Sequence, residues 1–197
     1  MIYLNTEGLT AGALRPGDRL LFGSCPQNTD RPEPIEWRVL EIKDGKALMI
    51  SEKLLDARRF DAVSSDWQSS ELRAWLNDTF LSAAFSVEER EKLSFILCDK
   101  VTCMSINEAE HYFSYDSYCQ KGFTVYPDRM AEPTAYAVKN GAWVDPDLGT
   151  CWWWLCSPAV FCDDVKTVNS YGWINCTMAG ADSVYGGVRP VIKIKVD

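Results

Sequence analysis

The 197-residue chain lacks the residues and motifs on which most catalytic and nucleic-acid-binding sites depend. It has one histidine, His111, and no Walker A loop, G-x-G-x-x-G, H-E-x-x-H or G-x-S-x-G motif, so no common catalytic signature is present. Its 20 basic and 28 acidic residues give a net charge of -8, and no Lys/Arg cluster interrupts that acidity. This balance argues against nucleic acid as a partner and makes an anionic membrane surface unattractive.

Membrane-spanning and secretory signals are also missing from the sequence. No stretch approaches the roughly 20 apolar residues of a transmembrane helix. Residues 1–8, MIYLNTEG, lack the basic patch and apolar run of a secretory signal. We therefore expect a soluble, cytoplasmic protein without direct membrane insertion.

Cysteine is abundant, but its pattern does not indicate a disulfide framework or a metal site. The eight cysteines lie at positions 25, 98, 103, 119, 151, 156, 162 and 176, with no CxxC pair. We expect free thiols, no cofactor and no metal, because the spacings around His111 match no zinc pattern. The pair Asp163-Asp164 could face calcium with Asn169 or Asp182, but the spacing of a calcium loop is absent.

Local patterns predict one domain over residues 1–197, of α+β class. Residues 18–50 predict a three-stranded meander with a hairpin turn at Asp44-Gly45, and residues 188–194 predict a final strand. Residues 121–150 have no periodicity and predict a long ordered loop region, whereas Val165–Val168 and Trp173-Ile174 predict short strands.

Three serines mark the starts of predicted helices. Ser69 or Ser70 precedes a helix with one apolar face, and Ser86 and Ser105 each open a capping box. The residues expected in the core are Trp37, Trp75, Leu72, Leu76, Phe80, Leu93 and at least two of Trp152, Trp153 and Trp154. Because side chains alternate along a strand, Trp152 and Trp154 should share one face and Trp153 should lie on the other.

The C-terminal segment (residues 156–187) is dense in Gly, Ser, Asn, Asp, Thr, Cys and Ala and poor in large aliphatic residues. Such a segment cannot build its own core, so it must lie over one and present many side chains to solvent. Tyr171, Trp173 and Tyr185 stand among small polar residues, a mixture typical of binding surfaces. A loop-rich edge of the fold without a binding role explains the same composition.

Five elements in order resemble an uncharacterised bacterial domain family. Its W-W-L-R-S-P-G and G-V-R-P-A signatures are similar to residues 153–159 and 187–191, and upstream it has F-G-S-Y-P-Q, I-x-W-R-V-L and L-R-x-W-L-N elements similar to residues 22–27, 35–40 and 72–77. That family resembles the C-type-lectin fold of formylglycine-generating enzymes and of the variable proteins of diversity-generating retroelements. The resemblance implies a small, twisted, mostly antiparallel sheet, a few short helices and much irregular structure. It departs at Cys156, where the family has Arg, and at Ala159, where it has Gly.

The retroelement resemblance makes a compositional demand on the C-terminal segment. Adenine-directed randomisation of AAC or AAT codons never yields Lys, Trp, Met, Gln or Glu. Residues 157–187 contain no Gln or Glu, and only Lys166, Trp173 and Met178 break the rule. Short polar loops can also lack Glu by chance, so diversification and chance both explain this composition.

The leading hypothesis is a non-enzymatic protein, cytoplasmic or phage-associated, that binds an unknown protein or surface ligand through the C-terminal segment. The expected ligand-binding residues are Cys156, Ala159, Val160, Phe161, Cys162, Asp163, Tyr171, Trp173, Asn175, Cys176, Thr177, Asp182 and Tyr185. Trp153, Trp154 and Arg189 are expected to be structural. The alternative is an oxidase related to formylglycine-generating enzymes, which would need Cys156 and Cys162 as a reactive pair.

Overall fold

Two mostly antiparallel sheets, a separate two-stranded hairpin and a few short helices make up the fold. The computed structural model describes residues 3–4, 14–159, 163–174 and 178–196. In these ranges the strands are β1 (Tyr3–Leu4), β2 (Arg19–Pro26), β3 (Pro32–Lys43), β4 (Lys46–Ser51), β5 (Asp56–Ala57), β6 (Leu93–Ser94), β7 (Val101–Thr102), β8 (Tyr118–Gln120), β9 (Phe123–Val125), β10 (Trp153–Pro158), β11 (Asp164–Val168), β12 (Met178–Gly180), β13 (Gly187–Val188) and β14 (Val191–Lys195). The α-helices are α1 (Glu71–Trp75), α2 (Leu81–Ala84), α3 (Val87–Lys92), α4 (Ile106–Tyr112) and α5 (Ala135–Lys139).

The larger sheet contains the predicted meander and the predicted final strand. Its strand order is β1-β2-β3-β4-β14-β6, with β7 also paired to β14, and it curls into a half-barrel. The turn at Asp44-Gly45 places both residues at positive φ, 51° and 65°, which is the conformation of a tight hairpin. The meander, its turn and the position of the last strand are therefore confirmed, and the fold is of α+β class.

The smaller sheet, ordered β12-β11-β10-β13-β5, contains the strands of the described C-terminal segment. Its central strand β10 separates two apolar clusters, because Trp154 packs in one and Trp153 in the other. Trp152 lies against Trp154 with ring centroids 4.9 Å apart. The predicted alternation of the three tryptophans is confirmed.

A helical stretch over residues 71–84 covers one side of the core. Ser70 caps it by accepting a hydrogen bond from the Arg73 amide, and a π-helical turn over Leu76–Phe80 joins α1 to α2. Leu72, Leu76 and Phe80 are buried as predicted, but Trp75 is only half-buried. Its outer face is covered by the guanidinium of Arg58 instead of by the core, 4.2 Å from the ring centroid.

The capping boxes at Ser86 and Ser105 are both present and begin α3 and α4. The expectation of an irregular region over residues 121–150 was wrong in part, since β9 and α5 lie within it. Trp173-Ile174 is not a strand, because the chain there turns back on Asn169. In the ranges described above, none of the helices has the length and apolar character needed to cross a membrane.

Candidate functional site

An open cleft of about 610 Å³ lies on the smaller sheet, and most of the residues that line it belong to the C-terminal segment. We call it the aromatic cleft. It is lined by Trp143, Trp152, Thr167, Asn169, Ser170, Met178, Ala179, Ser183 and Tyr185. Trp143 and Tyr185 are well exposed, at 47% and 58%, so their rings are available to a ligand. No side chain in this lining is charged, so the cleft combines aromatic surface with hydroxyl and amide groups.

The two exposed rings are brought together by backbone contacts between distant parts of the chain. The Trp143 amide donates a hydrogen bond of 3.3 Å to the Tyr185 carbonyl. The next residue, Gly186, lies directly on two tryptophan rings. A Cβ at Gly186 would overlap the Trp154 indole and come within 2.8 Å of the Trp152 ring, so only glycine lets the chain pass here.

The floor of the cleft is held by a buried carboxylate, that of Asp145. Its Oδ1 accepts hydrogen bonds from the amides of Asp147 and Leu148, while its Oδ2 accepts one of 3.2 Å from the Ser170 hydroxyl. Desolvation, the charge of Asp145 and a hydrogen bond to it raise the pKa of Tyr171. Asp145 therefore ties the 145–150 loop to the start of the 170–174 turn.

Asn169 shapes the neighbouring turn of the C-terminal segment. Its Oδ1 accepts hydrogen bonds from the amides of Tyr171 and Trp173, at 3.0 and 2.9 Å. Gly172 completes this turn at a φ of 82°, in close contact with the backbone of Tyr126. Hydrogen bonds to the Asn169 side chain and a glycine at positive φ therefore fix the path of this turn.

The structure places the predicted ligand-binding residues in three different environments. Asp163, Asp182 and Tyr185 are exposed, and among the predicted residues that the structure describes only Tyr185 lines the aromatic cleft. Cys156 and Ala159 are half-buried, and Cys156 packs against the main core. Val160, Phe161, Cys162, Asn175, Cys176 and Thr177 lie outside the described residues.

Tyr171 and Trp173 have a packing role that the prediction did not include. The Tyr171 ring contacts Phe123 at 5.0 Å between centroids, and Trp173 meets the edge of Tyr126 at 5.5 Å. The Trp173 indole also donates a hydrogen bond of 2.8 Å to the Thr124 carbonyl. Both rings anchor the β8–β9 hairpin, so their outer surface is smaller than the composition indicated.

Trp143 and Trp152 line the aromatic cleft but were not among the predicted binding residues. Trp143 lies in a stretch that the pattern left irregular, and Trp152 was assigned to the core with its neighbours. The sequence signal for Trp143 was a large aromatic residue in a Gly/Pro/Asp-rich loop, where the chain has few apolar neighbours to bury it. Their approach to Tyr185 depends on a non-local backbone register that the sequence does not encode locally.

The three residues expected to be structural are fully buried. The Trp153 indole donates to the Arg129 carbonyl at 3.1 Å, and the Trp154 indole donates to the Arg58 carbonyl at 2.8 Å. Arg189 donates to the carbonyls of Ser51 and Arg129, at 3.0 and 3.3 Å. These two carbonyls belong to β4 and to Arg129, so they lie outside the C-terminal segment.

The buried charge of Arg189 lies against two aromatic side chains. Its guanidinium lies 5.1 Å from the Trp153 ring centroid and 5.4 Å from that of Phe113. Burial and the positive charge of Arg38 lower the pKa of Arg189 to about 9, so it remains protonated at neutral pH. The nearest compensating charges are the carboxylates of Glu52 and Asp128.

The thiols that the structure describes do not form a reactive centre. Cys25, Cys98, Cys103, Cys119, Cys151 and Cys156 are free. Burial raises the pKa of Cys156 to about 12, with a smaller contribution from the charge of Glu108, so this thiol is protonated at neutral pH. Within the described residues, no group of three or more His, Cys, Asp or Glu side chains is arranged to hold a metal ion.

Comparison with known proteins gives one match. Residues 44–110 match a domain family of unknown function, DUF6273. None of the residues that line the aromatic cleft lies in that matched region. No curated protein and no solved structure matches the chain.

Proposed function

We propose that the protein is a non-enzymatic binding protein that presents the C-terminal segment on a C-type-lectin-like scaffold. The observation that carries this proposal is the aromatic cleft. Three aromatic side chains, Trp143, Trp152 and Tyr185, border a concave surface of ligand size, and hydroxyl and amide groups lie between them. Rigid aromatic anchors with adaptable polar neighbours supply contact area at a low cost in conformational entropy.

The manner in which the cleft is built supports a binding role. Its backbone is held by Asp145, Asn169 and Gly172, which contact main-chain groups, and by Gly186, which lies on the rings of Trp152 and Trp154. The exposed side chains at positions 163, 182 and 185 take little part in this support. Their identity can therefore change while the backbone beneath them stays in place, as a diversified surface requires.

A binding screen with matched surface variants tests the proposal. Wild-type protein is immobilised and probed with a random peptide library and a glycan array, and each hit is measured again with Tyr185→Ala and Trp143→Ala. The control is Phe95→Ala, because Phe95 is 63% exposed and lies outside the C-terminal segment. Hits that lose affinity at least tenfold in the two cleft variants and not in the control support the proposal. Hits that do not distinguish cleft variants from control, or no hit in either screen, contradict it.

The diversification of the segment has a separate test in the neighbouring DNA. We expect a reverse-transcriptase gene and a near-copy of the 3′ end of this coding sequence that differs at adenines. Their absence would remove diversification from the proposal and leave the binding cleft to the screen.

A further inference from the structure

A second pocket, of about 350 Å³, is lined in part by the chain that leads into and out of β5. We call it the Arg58 pocket. It lies between β2, the segment after β4 and the helical stretch 71–84, and its lining includes Leu55, Arg58, Trp75, Phe80 and Ala83. It shares no lining residue with the aromatic cleft. It is therefore a separate candidate site.

The guanidinium of Arg58 is held in a fixed orientation at this pocket. Its Nε donates a hydrogen bond of 3.0 Å to Asp56 Oδ2, and its plane lies 4.2 Å from the centroid of the Trp75 ring. The Asp56 carboxylate is itself buried. Its Oδ1 accepts hydrogen bonds from the Ala57 amide and the Asn140 side chain, at 2.8 and 2.7 Å. A cation positioned by such a partner loses little entropy when it binds an anion.

The terminal nitrogens of Arg58 are not used by the fold. Among the described residues, neither of them makes a hydrogen bond, and the side chain is 43% exposed. Two parallel N–H groups of a guanidinium match the two oxygens of a carboxylate. The residue thus offers a bidentate anion-binding face at the edge of the pocket.

The remaining wall of the pocket is mostly apolar. Leu55, Phe80 and Ala84 are buried side chains of this wall, and the π-helical turn over Leu76–Phe80 brings Thr79 and Phe80 to it from one helix. The thiol of Cys25 also lines it, and burial, with the charges of Asp56 and Glu33, raises the pKa of that thiol to about 12. A protonated thiol behaves as apolar surface.

We propose that the Arg58 pocket binds a carboxylate that carries an apolar group, with the carboxylate on the Arg58 guanidinium and the apolar group against Leu55 and Phe80. The ligand can be a free small acid or the C-terminal carboxylate of a peptide, since both present the same chemistry. The residues named in this proposal all lie within the region that matches DUF6273 and outside the C-terminal segment, although the Arg58 amide donates a hydrogen bond to the Gly186 carbonyl.

Calorimetric titration with 3-phenylpropionate tests the first source, and the peptide Gly-Gly-Phe with a free carboxylate tests the second. The corresponding amides, which lack the charge, are titrated as controls. Two variants target the site: Arg58→Gln removes the cation, and Ala83→Leu fills the pocket from an exposed helix position. Their matched controls are Arg59→Gln, at an arginine paired with Glu71, and Ala74→Leu, at another exposed position of the same helical stretch.

Saturable binding of at least one acid, no binding of its amide, and an affinity loss of about tenfold or more in both target variants support the proposal. The control variants should bind within about twofold of wild type. Binding of the free acid alone assigns a small-molecule ligand, and binding of both assigns recognition of a chain terminus. No saturable binding of either acid to wild type, equal binding of acid and amide, or affinity that Ala83→Leu leaves unchanged would overturn it. Circular dichroism on each variant verifies that the fold is intact, and Ala83→Leu decides the matter if Arg58→Gln fails to fold.

Discussion

The larger sheet and the C-terminal segment are stabilised in different ways. Strands β2, β3, β4 and β14 form antiparallel ladders of several residue pairs each, and their inner faces fill one apolar cluster. The C-terminal segment has short strands, and Asn169 holds its 169–174 turn by hydrogen bonds to main-chain amides, while Asp145 accepts one from the Ser170 hydroxyl. Burial stabilises the first region, whereas a few polar and glycine positions stabilise the second.

The two regions should therefore differ in how well they tolerate amino-acid substitution. In the larger sheet almost every inward side chain contributes to packing, so its replacement leaves a cavity. In the C-terminal segment the exposed side chains are not what holds the backbone. Four predictions follow from this contrast, and each would sharpen or break it.

The largest effect is expected at Arg189, which lies in the chain between β13 and β14. We expect Arg189→Ala to lower the free energy of unfolding by about 3 kcal/mol, because it leaves a cavity beside Trp153 and Phe113 and removes donors from the carbonyls of Ser51 and Arg129. Urea denaturation measures this change. Arg189→Met serves as the control, since it keeps most of the volume without the buried charge, and it should recover part of the loss. Two variants as stable as wild type would show that Arg189 does not hold the fold.

The next effect is expected at Gly186, where the chain crosses Trp152 and Trp154. Gly186→Ala should lower the free energy of unfolding by about 2 kcal/mol, because the added Cβ overlaps the Trp154 indole. The matched change is Ser183→Ala, nearby in the same segment and half-buried, which should cost under about 0.5 kcal/mol. Thermal denaturation of both proteins compares them. Equal costs would mean that the segment is not held at its glycines.

The sequence predicted those parts of the fold that local chemistry determines. The turn at Asp44-Gly45, the caps at Ser70, Ser86 and Ser105, and the alternation of the tryptophans follow from neighbours within a few residues. The β8–β9 hairpin was missed although Lys121-Gly122 forms its turn, with φ values of 49° and 84°. Its strands are too short and too exposed to show an apolar alternation.

The candidate site could be predicted only in part, because it depends on contacts between distant residues. Tyr185 was predicted from its composition, but Trp143 and Trp152 reach it through the hydrogen bond between residues 143 and 185 and through the path that Gly186 allows. Tyr171 and Trp173 looked like free aromatic anchors because their partner, the β8–β9 hairpin, was not foreseen. The Arg58 pocket likewise needs Asp56, Asn140 and Trp75 together, and no local pattern indicates that arrangement.

A smaller, pH-dependent effect is expected at Glu52, where the charges of the larger sheet meet. Desolvation opposes the ionised form, but hydrogen bonds from Arg38 and the charges of Arg38 and Arg19 outweigh it and hold the pKa of Glu52 below its ordinary value of 4.5. Glu52 therefore stabilises the fold fully above pH 4.5, and this contribution is lost as the pH falls through the lowered pKa of the folded state. Glu52→Gln should cost about 1.5 kcal/mol at pH 7.

Urea denaturation of Glu52→Gln and wild type between pH 2 and pH 7 measures this linkage. The difference between the two proteins should shrink steadily below pH 4.5. Glu132→Gln is the control, because Glu132 is exposed and its contact with Lys53 is 3.6 Å long, so that variant should differ little from wild type at any pH. A Glu52→Gln deficit that stays constant down to pH 2 would assign the loss to packing instead of charge.

The smallest effect on stability is expected at the aromatic cleft, and it decides whether the contrast between the two regions is real. Trp143→Ala and Tyr185→Ala remove rings that are about half exposed, while the backbone hydrogen bond between these two residues does not involve the rings. Each variant should therefore unfold within about 0.5 kcal/mol of wild type, as surface changes usually do. Trp154→Ala, which removes a fully buried ring of β10, should cost about 3 kcal/mol in the same urea titration. If the two cleft variants were as costly as Trp154→Ala, the exposed rings would be structural, and the C-terminal segment could not vary its surface without losing its fold.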